Sequence, residues 1–328
     1  MADGQKPREL FPVKFNGDLY DLNKFMKDHP GGVNTLRNYK GKSVLHAMQK
    51  FGHSSSAYHM MNDLKVDCDE LKDRTPPCGT PAEVLHHDED EPSMQVRFRL
   101  FPWFQARLDW SKPLLCQLEA IAPHYDTWVN SAVYRKCRLF TSPLLESLTY
   151  TPWYLVPMFW VPIILARCLL DSCRQTPLTN FQYIYHLVLG VLLWTVLEYT
   201  LHRWVFHLDP GSSVTMIQVH FLIHGMHHKV PFDGLRQVFP PIPAFVLFSD
   251  DSQFFSTFPI RVILSVCLPA GYLTYDMIHY YVHHGAPRDG TYLYAMKRYH
   301  SNHHFINHDK GMELDFSSIH FFIPVMCS

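Results

Sequence analysis

The sequence predicts two units of different class: a small α+β domain, then an all-α integral membrane domain with a histidine-rich cap on its cytosolic side. Three observations carry this. Residues 10–72 are polar and mixed, with two short strand patterns and a glycine-rich turn. Residues 153–170 and 183–200 are almost wholly apolar, each close to the roughly 20 residues that cross hydrocarbon. And 13 of the 22 histidines in the 328 residues fall between His202 and His308.

The net charge of −1 excludes a large nucleic-acid footprint. The eight cysteines form no CxxC pair, and no apolar leader or glycosylation sequon points to secretion, so the soluble portions are expected to face a reducing cytosol.

In chain order, Val13-Lys14-Phe15 and the run from Asp18 to Leu22 read as strands around an Asn16-Gly17 turn. His29-Pro30-Gly31-Gly32 forces a tight turn directly after a histidine, and His53 follows in a second glycine-containing segment. His29 and His53 suit the two opposed walls of an apolar cleft, which is what an iron porphyrin with two axial imidazoles requires. Residues 73–96, rich in proline and then in acids, read as a solvated linker. Residues 97–152, with Trp103, Trp110 and Trp128, read as a segment lying on the membrane surface. Residues 153–170 and 183–200 are the expected spans. Residues 239–248 are too short to cross alone, and 258–281 carry Arg261, so 238–282 is expected to dip into the bilayer and return, with Asp250 and Asp251 in a polar setting.

His224-Gly225-Met226-His227-His228 places His224 on one helical face with both His227 and His228. The spacing returns in His300-Ser301-Asn302-His303-His304, and His279 with His283 and His202 with His207 flank the triplets. One triplet alone reads as a polar patch. Two triplets and two pairs make ten imidazoles, more than the roughly four to six ligands of one ion, and read as a two-metal site.

The N-terminal unit resembles the cytochrome b5 family, with His29 and His53 at its axial positions. That implies a haem b whose iron has no open position and carries single electrons. The second half resembles the fatty acid hydroxylase superfamily. The b5-like unit and Lys229-Val230-Pro231-Phe232-Asp233-Gly234 narrow the likeness to the fatty acid 2-hydroxylases. The resemblance implies metal ligands at His202, His207, His224, His227, His228, His279, His283, His300, His303 and His304, with His220, His284 and His308 outside the set. It covers residues 10–311; residues 249–255 and the tail 312–328 depart from the family pattern.

An unactivated C–H bond needs oxygen activated on a redox metal, which makes iron the expected ion; zinc, which has no redox chemistry, is possible in purified samples. The expectation is therefore an O2-dependent hydroxylase acting at carbon 2 of a fatty acid or a ceramide acyl chain. Electrons come from a separate NAD(P)H-dependent cytochrome b5 reductase or similar donor, and the setting is the endoplasmic reticulum membrane, crossed several times. The rival readings are an acyl-chain or sterol desaturase and a catalytically dead, membrane-anchored electron carrier.

Overall fold

The computed structural model describes residues 10–66, 108–172, 179–248, 266–306 and 308. The linker 73–96, Trp103, Asp250, Asp251 and the tail 312–328 lie outside them.

The N-terminal unit begins with an antiparallel pair, β1 (Pro12–Phe15) and β2 (Asp18–Asp21), in the register Val13↔Tyr20 and Phe15↔Asp18. Asn16 and Gly17 both take positive φ, 50° and 81°, as a two-residue hairpin of matching twist requires. Three short helices follow: α1 (Val33–Arg37), α2 (Leu45–Lys50) and α3 (Ser55–Met61). The α3 start is capped by the Ser54 hydroxyl, which accepts from the Ala57 N–H. Val13, Phe15, Tyr20, Leu36 and Met48 form the core.

The second unit is helical: α4 (Tyr125–Val129), α5 (Pro143–Thr149), α6 (Leu155–Ser172), α7 (Asn180–Leu201), α8 (Val214–His220), α9 (Met226–Lys229), α10 (Pro241–Phe248), α11 (Leu268–His284) and α12 (Tyr292–Phe305). Thr179 and Gln182 start α7 with a reciprocal capping box. Helix α7 runs on through a π-helical turn to Phe206. Among the described residues this Asn180–Phe206 helix is the one long and apolar enough to cross a membrane; Leu155–Leu170 is shorter. The 18 residues of α6 rise about 27 Å, slightly less than the roughly 30 Å hydrocarbon thickness.

Helices α7 and α11 touch backbone to backbone. A Cβ on Gly190 would stand 2.2 Å from Cys267 Cβ, and one on Gly271 2.6 Å from Trp194 Cβ. Helix α11 is also fastened to the start of α10: Asp276 Oδ1 accepts from the Phe239 N–H at 3.3 Å, and the Tyr272 hydroxyl donates to the Phe239 carbonyl at 2.9 Å. These contacts tie together the two ends of the expected 238–282 hairpin, whose middle lies outside the described residues.

The described part of 97–152 is folded more tightly than a surface segment. Leu114, Leu118, Ile121, Trp128 and Val133 pack with Ile217 and Phe221 into one cluster, and Trp128 is 1% exposed. The burial of this apolar cluster is supported by Lys229, whose Nζ lies over the Trp128 ring 4.5 Å from its centre. It donates to the Trp128 carbonyl and to both the carbonyl and the hydroxyl of Ser131. This tryptophan is a packing partner of the helical domain.

Candidate metal centre and its neighbouring cleft

All ten histidines of the expected ligand set converge. His227, His279, His283, His300 and His304 form one group with donor nitrogens within 4.8 Å of one another, and His202, His207, His224 and His303 form a second. His228 joins the second, its Nε2 3.0 Å from His224 Nε2, and its ring centre is 4.5 Å from that of His304 in the first.

Local geometry explains each spacing. His279 with His283 on α11, and His300 with His303 and His304 on α12, are ordinary i, i+3 and i+4 neighbours. His202 and His207, five apart, would diverge on an α-helix. Here the His207 N–H donates to the His202 carbonyl, the i→i+5 bond of a π-turn, and the two ring centres come within 4.7 Å. Gly225 stands where a Cβ would meet the Tyr125 hydroxyl at 2.5 Å, so the His-Gly-Met-His-His turn seats against α4 only with glycine there.

Hydrogen bonding alone cannot account for the cluster. His300 Nε2 lies 3.1 Å from His279 Nε2, 2.7 Å from His283 Nε2 and 3.0 Å from His304 Nε2. One ring nitrogen has either a single proton or a single lone pair, so it satisfies one of these three neighbours at most. His303 Nε2 is buried without a hydrogen-bond partner. A cation resolves both facts: with metal–nitrogen bonds of about 2.0–2.1 Å, two imidazoles at right angles on one ion stand about 3 Å apart. Burial holds His224, His227, His228, His300, His303 and His304 well below the usual imidazole range, in the neutral form that ligates. The residues fit a pair of ions held wholly by nitrogen.

Three histidines stay outside the groups. His220 Nδ1 shares a hydrogen bond with the Tyr125 hydroxyl at 2.7 Å; His284 Nδ1 is 3.7 Å from Asp28 Oδ1; the His308 ring centre lies 5.5 Å from that of His228. The residues that sequence reasoning missed are buried cations behind the ligands. Besides Lys229, Lys297 donates to the carbonyls of His283, Gly285 and Lys27, and burial brings its pKa down to about 8. Arg236, 4% exposed, donates to the Cys137 carbonyl and the Thr149 hydroxyl and pairs with Glu146.

In the N-terminal unit, His29 and His53 face each other across a cavity of about 600 Å³, with ring centres 6.1 Å apart and planes 24° apart. Two imidazoles bonded to one iron at about 2 Å place their ring centres roughly 6 Å apart. His53 Nδ1 is 3.0 Å from the Met48 carbonyl, which only accepts. The Thr35 hydroxyl spends its proton on the Gly32 carbonyl and therefore accepts from His29 Nδ1 at 3.2 Å. Both rings thus keep Nε2 unprotonated, the form that would ligate a haem iron. Burial lowers the His29 pKa to about 4 and that of His53 in the same direction. Gly31 and Gly32 make the wall possible: a Cβ on Gly31 would meet the His29 ring at 2.9 Å, and Gly32 has φ 80°. The cleft fits a bis-histidine haem.

Family models match both halves: a cytochrome b5-like heme/steroid binding domain over residues 8–67 and a fatty acid hydroxylase over 187–326. A fatty acid 2-hydroxylase from Rattus norvegicus is 36% identical over 89% of this chain and 85% of its own length; that of Homo sapiens is 34% identical, with 91% and 86% covered. The chain belongs to the fatty acid 2-hydroxylase family. Among other relatives, a ceramide very long chain fatty acid hydroxylase of Saccharomyces cerevisiae is 28% identical over 90% of this chain and 85% of its own. A solved structure of full-length scs7p, with only its hydroxylase domain visible, matches at a TM-score of 0.54 and 28% identity, covering 65% of this chain and 84% of that one. The order found here, a b5-like unit followed by a helical hydroxylase domain, is therefore this fatty acid 2-hydroxylase family member's own architecture.

Proposed function

We propose that this protein inserts one oxygen atom of O2 at carbon 2 of a long acyl chain, presented as a free fatty acid or as the N-acyl chain of a sphingolipid. The observation that carries the reading is the convergence of ten imidazoles on two adjoining groups in the same chain as a bis-histidine cleft. Redox-active ions at the first, with iron the expected metal, supply oxygen activation, and haem b at the second supplies electrons one at a time.

The protein's own groups do the rest. The paired histidine groups hold two ions side by side. Lys297 ties α12 to the His283 carbonyl, and Lys229, next to His228, ties α9 to Trp128 and Ser131, so the ligand-bearing segments keep their places through a reaction cycle. Outward faces of α6 and α7 leave Met158, Leu169, Phe181 and Val196 between 64% and 78% exposed. That suits helices immersed in lipid, from which an acyl chain reaches the centre, and would be costly in water. His29 and His53 would take both axial positions of a haem held there, so it would carry electrons and leave oxygen no place to bind. Electrons enter from an NAD(P)H-dependent cytochrome b5 reductase or similar donor on the cytosolic face of the endoplasmic reticulum.

A desaturase would use the same donors, and product chemistry separates the two. A dead electron carrier is disfavoured by the convergence of the expected histidines into two adjoining groups. Mass spectrometry of lipids from cells that gain and lose the protein tests the proposal: 2-hydroxy acyl chains rise and fall with it. New double bonds without hydroxylation would reject it.

A further inference from the structure

The cavity between His29 and His53 is not closed by the N-terminal unit alone. Its far wall is helix α12 and the turn after it, through Tyr294, Arg298, Ser301, Asn302, Phe305 and Ile306. The same helix sends His300, His303 and His304 into the metal groups.

The two units are fastened in this pose by specific contacts. The Asp63 carboxylate accepts from the Tyr134 N–H at 2.9 Å and pairs with Arg135; the Tyr134 hydroxyl donates to Asp28 Oδ2 at 3.0 Å. Lys297 reaches the Lys27 carbonyl at 3.3 Å, and the Phe25 ring meets Phe232 edge-on with centres 5.7 Å apart. Phe25 also packs against His29, while Phe232 packs against His283.

Among the described residues, Arg298 is the one formally charged residue lining the cavity; the rest of that lining is apolar, amide, hydroxyl or neutral imidazole. Haem b carries two propionate carboxylates, and a carboxylate at the mouth of an apolar cavity needs a partner. A guanidinium, planar and permanently charged, is the best-matched one.

We propose that Arg298 anchors a haem propionate from across the domain boundary, with Ser301 and Asn302 beside it. The haem is then held between the two units, and the thickness of one helix separates it from the ligands on the other face of α12. Haem affinity becomes a property of the whole chain.

This inference rests on the haem reading of the cleft, and the test distinguishes the two. Full-length holoprotein, R298Q, R298K and N302D are each mixed with excess apomyoglobin, and haem transfer is followed optically. Glutamine keeps helix propensity at this exposed site, and N302D leaves Arg298 in place while setting a carboxylate against the propionate. R298Q is expected to release haem roughly tenfold faster and R298K less so, in line with the loss of one charge-assisted bond. N302D should also release it faster. The haem midpoint potential of R298Q should fall, because removing a cation favours the ferric state. Unchanged release in R298Q and N302D with an unchanged potential would overturn the proposal. A parent chain without a low-spin haem spectrum would instead overturn the haem reading beneath it.

Discussion

His300 Nε2 lies 2.7 Å from His283 Nε2, where α12 crosses the end of α11. One hydrogen bond would satisfy this pair, but the same His300 nitrogen also stands 3.1 Å from His279 Nε2 and 3.0 Å from His304 Nε2, a crowding that ligands of one ion would share. Purified protein should therefore carry about two non-haem metals per chain. His300→Ala and His224→Ala should each lower that number towards one, by elemental analysis of samples with matched haem content. One metal or none in well-folded parent protein would remove the paired-site assignment.

Gly271 offers a test in which the sign is informative. In an isolated helix, Gly→Ala stabilises by about 1 kcal/mol. Here the new Cβ would meet Trp194 Cβ at 2.6 Å, and overpacking of this kind costs about 1–3 kcal/mol. Gly271→Ala should lower the thermal stability of detergent-solubilised protein and loosen metal retention, since His202 lies on the π-helical turn that continues α7 and His279 lies on α11. Stabilisation would show that the helices do not meet this closely.

The triplets were legible because i, i+3 and i+4 spacings are properties of any α-helix, and Asn16-Gly17 and Gly32 because positive φ has few other residents. The His202–His207 pair was legible as a pair but not in its geometry, since a spacing of five makes sense only once the His207 N–H bonds the His202 carbonyl. Lys229 was illegible for a different reason. Its acceptors are Trp128 and Ser131, about a hundred residues away, and two of its three bonds go to backbone oxygen, which leaves no mark in side-chain pattern. The same distance in sequence hid the fold of 108–152 and the seat of Arg298 against the cleft.

The haem assignment predicts that His53→Ala abolishes the low-spin spectrum while leaving the non-haem metal content intact, because none of the ten clustered histidines belongs to that unit. A retained low-spin spectrum would show that His53 is not an axial ligand.

Topology follows from the shared centre. His207 and His283 belong to adjoining histidine groups, so the exposed positions Asp209 and Arg288 that follow them are expected on one side of the membrane. Single cysteines at these two positions, in a background free of the native thiols, should react with an impermeant maleimide from the same side. Labelling from opposite sides would be incompatible with the joined histidine groups.

The most direct measurement is turnover under 18O2. Purified holoprotein with an NAD(P)H-dependent reductase and a long-chain acyl substrate should yield a 2-hydroxy product with one 18O at carbon 2 and none taken from labelled water. An unsaturated product without label, or a hydroxyl oxygen derived from water, would contradict hydroxylation by oxygen activated at the paired histidine centre.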